Sequence, residues 1–348
     1  MGKYLTLFSS HTSYDEYING PDAILPNVSY CEDVKDVHFN PYVHDYSKDY
    51  LTTIARENGT ISFNIWKNMG TDYITSISYS TNGGETWTTT QNQNNKSEHL
   101  VIDVSVNEGD KVLWKGIAQQ TGYLDEDEWD YVGSFFSSTA EFDAEGNVMS
   151  LLYGDNFIGE AELEYNYQFA HLFHDYEKGK ECLIVNAENL SLPATTLAVG
   201  CYENMFRGCT SLTTAPELPA TTLATRCYQY MFSGCTNLTT APTILPATTL
   251  AYGCYEYMFN GCTSLTTAPE LPATTLAVYC YYEMFYGCTN LNQIKCLATD
   301  ISASSCTDAW VAGVASTGTF VKSSNISELT WGRNASGIPN NWTVQDAS

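Results

Sequence analysis

Between residues 51 and 157 apolar and polar side chains alternate in short runs, at 60–65 (TISFNI), 73–79 (YITSISY), 86–90 (TWTTT), 100–104 (LVIDV), 111–115 (KVLWK) and 148–152. A period of two puts one face of each run in a core and the other in water, which predicts strands. Turn-forming residues stand between the runs, at Asn82-Gly83-Gly84, Asn107-Glu108-Gly109 and 143–147. Turns at intervals of roughly 10 to 15 residues suit an antiparallel β-sandwich of immunoglobulin-like or jelly-roll type over residues 51–157.

Past residue 190 the pattern changes. Cys-Tyr-x-x-Met-Phe begins at Cys201, Cys227, Cys254 and Cys280, spaced 26, 27 and 26 residues apart, and each block closes on a second cysteine: Cys209, Cys235, Cys262 or Cys288. A near-constant link joins the blocks, LTTAPELPATTL at 212–223, with one extra residue at Thr243-Ile244 in the next copy. A fixed period that tolerates an insertion in a turn predicts a stacked solenoid over residues 191–320. Within a unit Leu223, Cys227, Met231 and Cys235 stand at i, i+4, i+8 and i+12, which predicts one face of a short helix, with Pro219 placed just before it. The stretch 212–218 contains Ala215-Pro216, so it is expected to be only a short extended rung. The expected class is therefore mixed α and β, a β-sandwich followed by a solenoid of rungs and helical returns. Residues 158–190 are expected to cap its first unit with Phe169, Leu172 and Phe173, and residues 321–348 its last. A fifth unit keeps Cys306 in phase but has Trp310, Val311 and Val314 in place of Met, Phe and the second Cys.

The pattern CYxxMFxGCTSLTTAPELPATTLA resembles the BspA-type leucine-rich repeats of Bacteroidetes surface proteins, over roughly residues 180–348. The run from Cys296 to Cys306, then Thr317-Gly-Thr-Phe320, Gly337-Ile-Pro339 and Trp342-Thr-Val344, is similar to the closing segment of that group. The resemblance implies a leucine-rich-repeat solenoid used for adhesion and surface recognition, with no reaction attached.

Residues 1–50 have mixed polarity, little periodicity and several aromatics. They read as an arm rather than a domain, and 26–41 (PNVSYCEDVKDVHFNP) resembles N-terminal segments of structural proteins of Bacteroides phages, including crAss-like phages. That resemblance implies docking onto virion proteins of the capsid or tail, with Tyr30, Cys31, Phe39, Asn40 and Pro41 as the candidate docking residues. The start, MGKYLTLFSS, reads as neither a secretory signal nor a membrane helix. A virion protein assembled inside the host cell needs no signal, whereas a bacterial surface adhesin does. No run reaches the 18 or so apolar residues of a membrane span, so membrane insertion is not expected.

The chain of 348 residues carries 15 Lys and Arg against 40 Asp and Glu, a net charge of −25, which argues against nucleic acid as a partner. Residues 1–190 hold 31 of the acids and 10 of the bases. Eight of the twelve cysteines are the repeat pairs. On a helical path the members of a pair stand about 12 Å apart, beyond the ~7 Å that a disulfide spans. Stacked reduced thiols are expected, with no metal and no cofactor. The acidic run 125–130 (DEDEWD) offers oxygen ligands for calcium but lacks an EF-hand pattern, and a solvated loop is the simpler reading. His171 and His174 form an H-x-x-H without a third ligand, so a capping role is preferred to zinc. No nucleophile elbow, phosphate loop or dinucleotide fingerprint is present, and no enzyme is expected.

The units differ from one another mainly at outward positions. Equivalent positions read Glu203, Gln229, Glu256, Tyr282; then Asn204, Tyr230, Tyr257, Glu283; then Arg207, Ser233, Asn260, Tyr286. Before the cysteine stand Val199, Thr225, Tyr252, Val278, and Gly200, Arg226, Gly253, Tyr279. Tyrosine gives rigid amphipathic contact area at small entropic cost, so Tyr230, Tyr252, Tyr257, Tyr279, Tyr282 and Tyr286 are the candidate ligand-binding residues. The expectation is a non-enzymatic phage surface protein, a head-fibre, decoration or tail-fibre protein that meets a host surface protein or glycan. The alternatives are a bacterial surface adhesin and a glycan-active enzyme. A homo-oligomer through the sandwich or the virion lattice is compatible, although no heptad run supports a coiled coil. One consequence is testable directly. As pH falls from 7 towards the sequence pI of about 4.3 the self-repulsion of −25 vanishes, and turbidity is expected to rise steeply near pH 4 to 5.

Overall fold

The computed structural model describes residues 44–65, 74–91, 100–118, 122–125, 130–174 and 181–347. From Tyr46 onward the chain forms one compact unit. The alternating runs between 60 and 115 form strands, but two expectations are corrected. Residues 148–152 are buried on every side rather than on one face and turn into a short helix at Ser150–Tyr153, and the turn expected at 143–147 lies within a strand, Phe142–Asn147. β1 (Leu51–Ala55), β2 (Gly59–Ile65), β3 (Ile74–Ser80), β4 (Thr88–Gln91), β5 (Leu100–Val106) and β6 (Lys111–Ala118) are followed by β7 (Gly122–Asp125), β8 (Asp130–Gly133), β9 (Phe135–Ser138) and β10 (Phe142–Asn147). In β5, Ile102, Val104 and Val106 are buried while the residues between them are exposed, a one-sided strand.

A short helix, α1 (Ser150–Tyr153), leads into the repeats. The first strands after it, β11 (Ile184–Asn186) and β12 (Leu190–Ser191), pair in parallel with β10. The largest sheet, ordered β11-β10-β1-β6-β3-β4, thus has repeat-side strands at its edge. A three-stranded sheet β5-β2-β9 packs on it through Phe63 and Phe136, which meet Trp114 at 6.1 and 5.2 Å between ring centroids. The Trp114 indole is fully buried and donates to the Thr53 hydroxyl at 3.0 Å, so its one polar atom is satisfied.

The repeat segments are not helical. Between Ala198 and Cys209 the amides alternate between two kinds of partner. Cys201, Glu203, Met205, Arg207 and Cys209 each donate to the carbonyl three residues back, closing a turn. Gly200, Tyr202, Asn204, Phe206 and Gly208 each donate instead to the next unit, at Thr225, Cys227, Gln229, Met231 and Ser233. Every fourth residue takes a positive φ, here Gly200 (57°), Asn204 (55°) and Gly208 (74°). This ribbon of turns has a period of four, which accounts for the i, i+4 spacing without an α-helix. An α-helix keeps its amide bonds to itself, whereas here half of them cross to a neighbour.

The link segments supply single-residue parallel bridges, such as Asn186 to Thr214 to Thr240, and Glu162 to Thr196 to Thr222. Proline lacks the donor that a longer strand needs, and Pro216, Pro242 and Pro269 each cut a rung short. Where the sequence changes to Asn-Gln-Ile-Lys-Cys the proline is gone. There a full strand appears, β13 (Gln293–Cys296), paired in parallel with β14 (Thr319–Lys322), which pairs in turn with β15 (Thr343–Asp346).

The expected class, mixed α and β with a leucine-rich-repeat solenoid, is therefore corrected. Strand accounts for 29% and helix for 5%, in several sheets, and no leucine-rich-repeat solenoid is identified among the described residues. The expected immunoglobulin-like or jelly-roll sandwich is corrected with it, because its larger sheet is completed by parallel strands from beyond residue 180.

Aromatic ladders fill the interior. Phe173, Phe206, Phe232, Phe259 and Phe285 stack with successive centroids 5.0 to 5.7 Å apart, and a second ladder runs Phe169, Tyr202, Tyr228, Tyr255, Tyr281. At one end Phe136 stacks on Phe173, tying the strands to the ladder. At the other, Trp310 stacks on Tyr281, and Trp331 of a second short helix, α2 (Glu328–Trp331), stacks on Trp310. Residues 165–174 repeat the ribbon, with Tyr167 and His171 at positive φ and Phe169 and Phe173 bonded to the Cys201 and Met205 carbonyls.

The eleven described cysteines are buried with free thiols. Those of Cys209, Cys235, Cys262 and Cys288 donate to the carbonyls of Phe173, Phe206, Phe232 and Phe259, at 3.0 to 3.1 Å. Burial pushes up the thiols of Cys201, Cys227, Cys235, Cys254, Cys262, Cys280, Cys288, Cys296 and Cys306, those of Cys288 and Cys296 to about 12.

Two predictions follow from this interior. Phe232 is fully buried between two rings, so Phe232→Ala is expected to cost about 3 to 5 kcal/mol in a denaturant titration. The raised thiols keep their protons in the folded chain, while unfolded thiols lose theirs above the ordinary value of 9.0. Stability is therefore full below pH 9 and falls as pH rises towards 12, each such thiol removing about 1.4 kcal/mol per pH unit. A denaturation midpoint that stays level from pH 8 to 11 would exclude this.

Candidate recognition surface

The four-residue period arranges the positive-φ residues in columns along the layers. The first column reads Tyr167, Gly200, Arg226, Gly253, Tyr279, Ser305 and the second His171, Asn204, Tyr230, Tyr257, Glu283, Ala309. The third is Gly208, Gly234, Gly261, Gly287, Gly313. In the first column large and small residues alternate for a packing reason. A Cβ on Gly200 would lie 2.3 Å from the Tyr167 ring, so glycine is what admits the tyrosine over it. Arg226 stands over Gly253 in the same way, its Cγ 3.4 Å from where a Cβ would be.

The second column has no glycine, yet its backbone is left-handed. Tyr230 and Tyr257 both sit at φ 56°, a conformation that costs a bulky residue about 1 to 3 kcal/mol. Their rings stack at 4.5 Å and 6°, and a stacked pair returns about 0.5 to 1.5 kcal/mol beyond its buried area. One stacking contact alone does not offset two such backbones.

Five of the six candidate tyrosines form a continuous patch. Tyr257 meets Tyr282 edge-on at 5.3 Å, Tyr282 lies 5.4 Å from Tyr279, and Tyr279 lies 5.5 Å from Tyr252. Tyr252 and Tyr286 are the most exposed, at 42% and 46%, and Tyr286 stands outside the recorded chain of ring contacts among the described residues. The reading of the sequence missed two cations that complete the patch. The Arg207 guanidinium lies 4.8 Å from the centre of Tyr230, and that of Arg226 lies 5.8 Å from Tyr252. Both occupy the same variable positions as the tyrosines, and that coincidence was the available signal.

The patch is polar beneath. Gln229 donates to Glu256 at 2.6 Å. Burial raises the Glu256 carboxyl above its ordinary value, opposed by the Arg226 charge and the Gln229 bond. Burial and then the Glu256 charge raise the Tyr230 phenol. Burial and the Tyr282 hydrogen bond raise that of Tyr257. These hydroxyls therefore remain protonated donors at neutral pH.

The other candidates are placed as follows. Tyr30, Cys31, Phe39, Asn40 and Pro41 lie outside the described residues, as does the core of the acidic run, 126–129. His171 is buried in the first layer, and the His174 ring bonds the Arg207 carbonyl. Burial holds His171 well below its ordinary value and His174 at about 4. Among the described residues no group of three or more His, Cys, Asp or Glu could hold a metal ion. None of the described helices is long and apolar enough to cross a membrane. Away from the tyrosine patch, a shallow groove of about 500 Å³ lies over the rungs, lined by Thr243, Thr267, Glu270, Gln293, Lys295 and Gln345 among others. A Lys295–Glu270 ion pair of 2.8 Å closes part of it. Compared with family models, curated proteins and solved structures, the chain matches none.

The strain argument sets a test. Asparagine tolerates a positive φ and already stands at Asn204 of the same column. The double variant Tyr230→Asn, Tyr257→Asn is expected to unfold within about 1 kcal/mol of the parent. A loss above about 2 kcal/mol would show that the tyrosines serve the fold.

Proposed function

We propose that this chain is a non-enzymatic surface protein of a bacteriophage virion that recognises the bacterial host through the Tyr230–Tyr257–Tyr282–Tyr279–Tyr252 patch, with its N-terminal segment docking on virion proteins. The observation that carries the recognition half is the pair Tyr230 and Tyr257. Both rings are held on unfavourable backbone where glycine or asparagine would be easier. Residues kept against local preference, on a rigid scaffold and at the surface, are kept for what they touch. Rigidity supports the same reading, because each layer is bonded to the next along the whole ribbon. Little order is then lost on binding. The virion half rests on the resemblance of residues 26–41 to phage structural proteins.

Mass spectrometry of purified virions, with immunogold labelling, tests the assignment. A fixed copy number on particles is the expected outcome. Recovery from bacterial membranes instead of particles would make the protein a cell-surface adhesin.

A further inference from the structure

The orientation of the rings in the patch separates two kinds of position. Tyr230 has both faces covered, by Arg207 at 4.8 Å and by Tyr257 at 4.5 Å. It presents only an edge and a hydroxyl. Beyond Tyr257 the parallel stack ends. Tyr257 and Tyr282 are inclined at 69°, Tyr279 and Tyr282 at 58°, and Tyr252 and Tyr279 at 57°. Rings so inclined meet edge to face, so none is sandwiched between two parallel neighbours; Arg226 lies 5.8 Å over the Tyr252 ring, and Tyr252 is still 42% exposed. Tyr252, Tyr279 and Tyr282 thus form a shallow aromatic cup beside a polar rim that includes Glu283, whose carboxylate lies 3.5 Å from the Asn260 amide.

We infer that this cup is a stacking subsite for a pyranose ring of a host surface glycan, a reading that rests on the recognition role proposed above. The C–H face of a pyranose is apolar and its equatorial hydroxyls are polar, which matches aromatic faces rimmed by phenol hydroxyls and a carboxylate. The scale fits a chain of sugars. The cup's rings stand 5.4 and 5.5 Å apart, close to the length of one sugar unit. Within the patch Arg207 and Arg226 balance Glu256 and Glu283, and a site with no local excess of charge matches a neutral sugar.

The test uses the full-length protein, labelled and incubated with a panel of Bacteroides strains before and after treatment of the cells with periodate, which cleaves sugar diols, or with protease. Binding is expected to fall after periodate and to survive protease. Tyr252→Ala and Tyr282→Ala are expected to weaken it on the order of ten-fold, and Tyr230→Asn by less. Should Tyr282→Ala lower the unfolding midpoint, Tyr282→Leu fills the same space without an aromatic face and is read in its place. Binding that survives periodate but is lost on protease overturns the glycan subsite while leaving host recognition standing. An equal loss in Tyr230→Asn overturns the placement in the cup. Failure of the parent protein to bind any strain overturns the recognition role and this inference together.

Discussion

The structure depends on how the repeat backbone divides its hydrogen bonds. In the ribbon every second amide closes a turn within its own layer and the one between reaches the next layer. Neither set suffices alone. A ribbon without a neighbour leaves half its buried amides unpaired, and each such group costs about 1 to 3 kcal/mol. Layers are therefore stable only as a stack, and the two ends need partners of another kind. The strands provide one, through Phe136 on Phe173, and Trp331 on Trp310 provides the other. The compactness of everything from Tyr46 onward follows from that requirement.

The same division explains the interior chemistry. Because the ribbon repeats every four residues, Cys and Tyr, then Met and Phe, then Cys return to the inside of each layer, directly above their equivalents. Rings meet like rings and thiols meet carbonyls. Cys235 bonds the Phe206 carbonyl of the layer before it, as Cys262 bonds Phe232. A small side chain with a weak donor is what that space accepts, and a bonded thiol far from water has little tendency to ionise.

Outside, the period of four produces columns of left-handed backbone, and it turns composition into information. Glycine fills the third column in every layer from Gly208 to Gly313, as conformational preference alone dictates. The second column departs from that preference at Tyr230, Tyr257, Glu283 and Ala309, and the two tyrosines among them carry the stacked part of the surface. A rigid stack carrying a few deliberately placed aromatics suits recognition without large rearrangement, and it leaves specificity to side chains that differ between layers.

The sequence by itself determined the repeat, its period and the buried identity of the eleven described cysteines, because side-chain spacing follows backbone period whatever the backbone is; the variable positions read as outward are mixed, with Tyr252 and Tyr286 exposed but Glu203, Asn204 and Gln229 buried. It determined the strands that begin between residues 59 and 111 for the same reason, but not the one at Leu51–Ala55, which shows no alternation and is buried at four of its five positions. It did not distinguish a helix from a turn ribbon, since Leu223, Cys227, Met231 and Cys235 are four apart in both. Only the tertiary structure decided that point. A turn ribbon gives away half its amides and cannot exist singly, so no local segment encodes it, and its hydrogen bonds are supplied by residues 26 or so positions away. The sequence offered residues 158–190 as a cap with Phe169, Leu172 and Phe173; that 165–174 is itself a layer of the ribbon, its cysteines replaced, is decided by the bonds to Cys201, Glu203 and Met205. The left-handed backbone beneath Tyr230 and Tyr257 is invisible in composition, for tyrosine is not the residue that announces it; stacking on both neighbouring layers imposes it.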